Sequence, residues 1–151
     1  SVNDPLALKL KKYLAEEYHN EIDSSAIPEK DRLFQLYEID LNNDGTKEIF
    51  INLISPYFCA SDGCTVLLLS SDLKLITKFT ATKTPFYALP ELSKGYKKLL
   101  NESKGEWKEL LYDGKKYPSD PTLLKKSKVE PGYEAEIIFD ENYLKAKTYT
   151  F

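Results

Sequence analysis

The chain has no methionine and only one histidine, one arginine, one tryptophan and two cysteines among 151 residues. Each scarcity narrows the field. A His-based catalytic triad or metal centre would have to use His19, and its surroundings suggest no partner for it. A single arginine, Arg32, argues against phosphate or nucleic-acid sites, which favour guanidinium forks. No apolar run approaches the roughly 18 residues of a membrane span. Ser55 and Ser61 lack the G-x-S-x-G setting of a nucleophile elbow, and no glycine-rich phosphate loop is present. A methionine-free chain that begins Ser1-Val2-Asn3 is expected to have lost an initiator, a signal peptide or a longer leader.

What is present is ordinary for a soluble globular domain: 42% hydrophobic and 30% charged residues, with a net charge of −3. That balance excludes a generally basic nucleic-acid binder and a highly charged disordered chain. It also conceals an uneven distribution. Residues 1–62 carry a net −6 and residues 94–128 a net +5, the latter entirely through lysines. Such lysines read chiefly as solvation and edge protection, and less readily as a docking face for an acidic partner. Glu102, Glu106 and Glu109 read in the same way, as solvent-facing charges around a turn rather than paired carboxylates for glycoside chemistry.

The pattern predicts one α+β domain over 1–151, an N-terminal helix packed on a twisted, mainly antiparallel β-sheet. Asp4-Pro5 opens a helix over 5–20, with Leu6, Leu10, Tyr13, Leu14 and Tyr18 on one face. A sheet region spans 33–118. Strands are expected at 33–39 and 48–54 as a hairpin, at 65–69 in a central position because both faces are apolar, and at 73–81. Thr84-Pro85 and Leu89-Pro90 break the pattern. A second hairpin is expected from 95–101 and 107–112. A C-terminal extension, 119–151, holds a short helix and a strand near 133–139, and 143–151 takes no assignment.

The sharpest motif is Asp40-Leu41-Asn42-Asn43-Asp44-Gly45-Thr46-Lys47-Glu48, a D-x-N-x-D-G-x-x-E run. Hard cations take oxygen ligands, six to eight for Ca²⁺. Asp40, Asn42 and Asp44 offer side-chain oxygens, Thr46 its carbonyl, and Glu48 closes the shell directly or through water. Gly45 supplies the positive φ of a sharp turn. Three carboxylates within nine positions repel one another in an empty loop, and a structural Ca²⁺ would relieve that repulsion. Asn43-Asp44-Gly45 is also a good hairpin turn without any metal. Position 12 is Ile51 and the flanks read as strands, so the run is not an EF-hand. It resembles the calcium-loop hairpins of FG-GAP-type repeats. A single occurrence excludes a propeller of such repeats.

Cys59 and Cys64 enclose a short polar loop containing Gly63, able to bend the sulfurs together. A disulfide there would stabilise by roughly 2 kcal/mol and point to an oxidising compartment. The other reading is two reduced thiols at a strand entrance. The order of the 40–48 motif, Pro56-Tyr57-Phe58-Cys59, Gly63-Cys64 and Asp113-Gly114-Lys115-x-Tyr117-Pro118 resembles small exported bacterial proteins of uncharacterised function. Ala60 and Asp62 stand where that loop more usually has glycines. The resemblance implies a periplasmic, lipid-anchored or secreted location. Tyr57, Phe58, Phe86 and Tyr87, placed in turns, are expected to include an exposed aromatic binding patch. The resulting expectation is a non-enzymatic binding module of inhibitor or immunity type, its partner a protein or an envelope component. The alternative is a small calcium-dependent hydrolase of the cell envelope.

Overall fold

A computed structural model describes residues 3–140 and 147–151. Its architecture is α+β, with a helix on a sheet as expected, but the strands form two sheets. The first holds the order β10-β1-β2-β4-β3, with β5 also paired to β4. Its members are β1 (Leu33–Ile39), β2 (Glu48–Leu53), β3 (Cys59–Ala60), β4 (Gly63–Leu69), β5 (Leu75–Thr82) and β10 (Tyr149–Thr150). The second has the order β8-β7-β6-β9, from β6 (Phe86–Ser93), β7 (Tyr96–Ser103), β8 (Glu106–Leu110) and β9 (Glu136–Ile138). Every pairing among these strands is antiparallel.

The two-residue period of β1, β2 and β4 explains the layering. Phe34, Leu36, Ile49, Ile51, Leu53, Leu67 and Leu69 face α1 (Asp4–Glu17), which meets them with Ala7, Leu10, Leu14 and, just beyond its end, Tyr18. Ile39, Phe50, Val66 and Leu68 face the second sheet and pack with Phe79, Phe86, Leu99, Leu110 and Tyr117. The molecule therefore has three layers and two cores that share β1, β2 and β4. Phe50 joins the inner pair of layers, its ring 5.4 Å from Phe86 and 6.4 Å from Phe79.

Several local expectations are corrected. Asn3, not Asp4, caps α1: its Oδ1 accepts from the Leu6 N–H at 3.1 Å. Asp4 instead accepts from the Lys147 ammonium and the Tyr149 hydroxyl, at 2.9 and 2.8 Å. The helix stops at Glu17, and a separate turn of helix, α2 (His19–Asp23), follows. The region around Pro90 does not break the chain out of the sheet. It lies in β6, at a register irregularity between Ala88 and Leu92, where a missing N–H leaves no gap in the ladder. Around 121 the expected helix is only a 3₁₀ turn, Pro121–Leu123, capped by Asp120. Residues 143–146 lie outside the described residues, whereas Tyr149–Thr150 joins the first sheet beside β1.

Lysines of the basic block include one that is not at the surface. Lys108 is 4% exposed and donates to the Leu124 carbonyl at 2.5 Å and to Glu106 Oε1 at 3.3 Å. It fastens the segment after residue 120 across β8, where the Ser127 N–H also donates to the Trp107 carbonyl.

Candidate functional site

The 40–48 motif forms the β1–β2 turn. Asp40 accepts from the N–H groups of Asp44 and Gly45 at 3.3 and 2.9 Å. Asp44 Oδ1 accepts from both the N–H and the hydroxyl of Thr46, each at 2.9 Å, and these bonds hold the Asp44 carboxyl below its ordinary pKa. Gly45 and Asn43 take positive φ, as the tight turn requires. Leu41 is fully buried between the sheets, and its carbonyl accepts from the Lys97 N–H at 2.8 Å, so the turn is tied to β7. Asn42 Oδ1 is buried without a hydrogen-bond partner.

Glu48 is 2% exposed, and its Oε1 accepts from the Leu41 N–H at 2.7 Å. Burial raises its pKa, and the nearby charges of Asp44 and Asp40 add to the shift. The setting therefore favours the neutral form of the Glu48 carboxyl over its charged form. Among the described residues no three His, Cys, Asp or Glu side chains stand together as a ready metal cage. The loop's own oxygens are a mixed set of carboxylates, an amide and a main-chain carbonyl.

A pH dependence follows for the calcium-free protein. A carboxyl with a raised folded-state pKa contributes stability that is complete below the ordinary carboxylate range and is lost as pH rises through the folded value. Glu48→Gln keeps the acceptor for Leu41 and removes the charge. In EDTA it is expected to melt higher than the parent at pH 7, with the two curves converging near about pH 4. A parent that melts at or above the variant at pH 7 would contradict this reading of Glu48.

At the other end of β2, roughly 20 Å away at the usual rise per residue, lies the second group of singled-out residues. Cys59 and Cys64 face each other across β3 and β4 and form a disulfide, with Cα atoms 3.9 Å apart. The bridge closes a tight hairpin, and Gly63 at its base lies against the backbone of Thr82.

The four aromatics separate. Phe58, 8% exposed, belongs to the helix-side core, in edge contact with Tyr18 at 5.2 Å. Phe86 is fully buried in the inter-sheet core. These two are packing residues, not an exposed patch. Tyr57 is 42% exposed beside the disulfide, and half-buried Tyr87 meets Trp107 edge to face at 5.3 Å. The geometry adds Trp107 to the surface set.

The surface around the disulfide hairpin is concave on both sides. One depression is bounded by Tyr18, Glu21, Tyr57, Cys59 and Lys78. A second lies on the opposite face of the sheet, between Asn52, Ile54, Cys64, Thr82, Lys83 and Thr84. A third shares Lys83 and Thr84 with it and continues over Pro85 to Tyr87, Glu102 and Trp107. Asn52, Thr82, Thr84 and Trp107 were not evident as site residues from the sequence alone. The available signal was Asn52, a polar residue inside an otherwise apolar strand. No helix among the described residues is long and apolar enough to cross a membrane. No protein-family model matches the chain, and neither a curated protein nor a solved structure matches it.

Proposed function

We propose that this domain is a non-enzymatic binding module of an exported bacterial protein. It recognises its partner, a protein or an envelope component, through the end that carries the disulfide hairpin. The observation that carries the reading is the set of concave surfaces there: two adjoining depressions that share Lys83 and Thr84 and reach half-buried Tyr87 and Trp107, and a third across the sheet beside exposed Tyr57. Tyrosine and tryptophan bury much area at little cost in side-chain entropy, which suits recognition. The disulfide fits an oxidising compartment and a periplasmic, lipid-anchored or secreted location.

In this reading a Ca²⁺ held by Asp40, Asn42, Asp44, the Thr46 carbonyl and Glu48 is structural. Two features support it: the buried Asn42 Oδ1 without a partner, and the Glu48 charge set among other carboxylates. Such an ion would fasten the β1–β2 turn, and through Leu41 the second sheet, at the end away from the recognition surface. Glu48 is buried and bonded to Leu41, which leaves it poorly placed to meet a substrate.

The test is co-sedimentation with isolated bacterial envelopes. The parent should be retained, and the combined Tyr57→Ala and Tyr87→Ala variant should lose about tenfold in affinity. No retention by the parent, or equal retention of both, would overturn the assignment. Calcium at about 100 times its Kd should raise the melting temperature by roughly 5–10 °C. An unchanged melting temperature at millimolar calcium would remove the metal from the picture.

A further inference from the structure

The recess floored by Asn52 has a composition of its own. It holds about 360 Å³ and lies at the end of the central sheet, on the face turned toward the second sheet. Asn52 is 3% exposed, yet none of the side-chain hydrogen bonds among the described residues involves its amide. Its main chain is engaged on both sides, opposite Gln35 in β1 and Val66 in β4. Its amide is not among the fully enclosed polar atoms left without a partner, so its donor and acceptor meet solvent or a ligand through the recess. Here the side chain lines an open recess.

The surrounding groups are few and specific. Thr82, 1% exposed, donates its hydroxyl to the Thr80 carbonyl at 2.8 Å, which leaves its oxygen free to accept. The half-buried Thr84 brings a second hydroxyl. Ile54 and the disulfide at Cys64 provide an apolar wall. Lys83 and Thr84 form the rim shared with the Tyr87–Trp107 depression, which Glu102 also lines. Asn101 positions that rim: its amide nitrogen donates to the carbonyls of Lys83 and Pro85 at 2.6 and 3.3 Å.

We propose that this recess and the adjoining Tyr87–Trp107 shelf form a binding site for a neutral saccharide. The proposal rests on the functional reading above and narrows its partner to a glycan of the cell envelope. A sugar ring presents hydroxyl or acetamido groups at its edge and C–H bonds on its faces. The edge suits the Asn52 amide and the two threonine hydroxyls. The faces suit the disulfide wall and an aromatic ring, whose electron-rich face attracts polarised C–H groups. At β4 the site offers no free strand edge, since Cys64 is paired with Cys59 on one side and with Thr82 on the other. An extended peptide would need such an edge; a saccharide needs only side chains.

The experiment uses the full chain and its one tryptophan, Trp107, as the reporter. N-acetylchitotriose, cellotriose and trialanine amide are titrated separately, with fluorescence and side-chain amide NMR as readouts. At least one of the two sugars should saturate with a Kd of about 1 mM or tighter and shift the Asn52 amide resonances. Asn52→Leu, an apolar side chain of similar size, should still melt cooperatively and should weaken the sugar by about tenfold or more. Thr84→Val carries the same test should the leucine variant fail to fold, with sugar affinity again expected to fall. Silence toward both sugars at about 20 mM, a response to the peptide alone, or unchanged sugar affinity in the variants would overturn the proposal. Silence toward sugars combined with Tyr57- and Tyr87-dependent envelope retention would leave a protein partner in place. Failure of both would remove the functional reading as well.

Discussion

Gly63→Ala should cost about 3 kcal/mol or more, lowering the melting temperature by roughly 6–12 °C. Two penalties combine. The residue sits at φ +137°, a conformation that side chains with a Cβ rarely adopt. A Cβ built there would also lie 2.3 Å from the Thr82 carbonyl carbon and 2.6 Å from its nitrogen and oxygen. Those are backbone atoms of β5, and Thr82 is held in register opposite Cys64. β4 is held at this point between β3, through the disulfide, and β5, through the pairing of Cys64 with Thr82. Gly45 is the natural control: it too has a positive φ, +86°, but nothing lies within 4 Å of the point a Cβ would occupy. Its alanine variant should lose only the conformational part, about 1 kcal/mol. Equal losses at the two positions, measured by urea unfolding without calcium, would show that the close approach to β5 carries no energy.

Phe50→Ala should lose about 3–5 kcal/mol, the range for deleting a large aromatic from a well-packed core. The ring is fully buried and lies between Phe79 of the first sheet and Phe86 of the second. Its removal would empty the centre of the inter-sheet layer while leaving the helix-side core intact. Amide exchange in β6 and β7 should therefore accelerate more than exchange in α1. Phe50→Leu, which refills most of the volume, should lose less than half as much as the alanine variant. A loss below about 1 kcal/mol for the alanine variant would mean that the two sheets do not depend on this contact.

Sequence reasoning recovers the central sheet well. The 33–39 and 48–54 strands and the helix stand out by their apolar patterning, and the 65–69 segment by a short run that is apolar on both faces. The 40–48 turn and the disulfide loop are visible as motifs. The second sheet is harder for specific reasons. Pro90 argues against β6, yet the strand absorbs it at an irregularity in its ladder. The short β9 lies inside the strand expected near 133–139, but β10 carries no readable alternation, and the partners of both, β6 and β1, are distant in sequence. Phe58 and Phe86 follow turn residues and suggest exposure, although each is the first side chain to reach a core after the turn. The recess escapes for a related reason. Asn52, Thr82 and Thr84 come from separate segments and meet only through the pairing of β2, β4 and β5.

The contacts between the two ends of the described chain bear on how the domain would respond to force. The Asn3 N–H donates to the Tyr149 hydroxyl, Asp4 accepts from Lys147 and Tyr149, and the Phe151 N–H donates to the Arg32 carbonyl. Tension applied across neighbouring ends loads such bonds one after another, as in a zipper, rather than all at once, as in shear. The short β10 and the first turn of α1 would peel away under a small load, while the long ladders of β1, β2 and β4 lie out of the line of pull. Under such a load the seam between the two described ends is expected to open before the central ladders do.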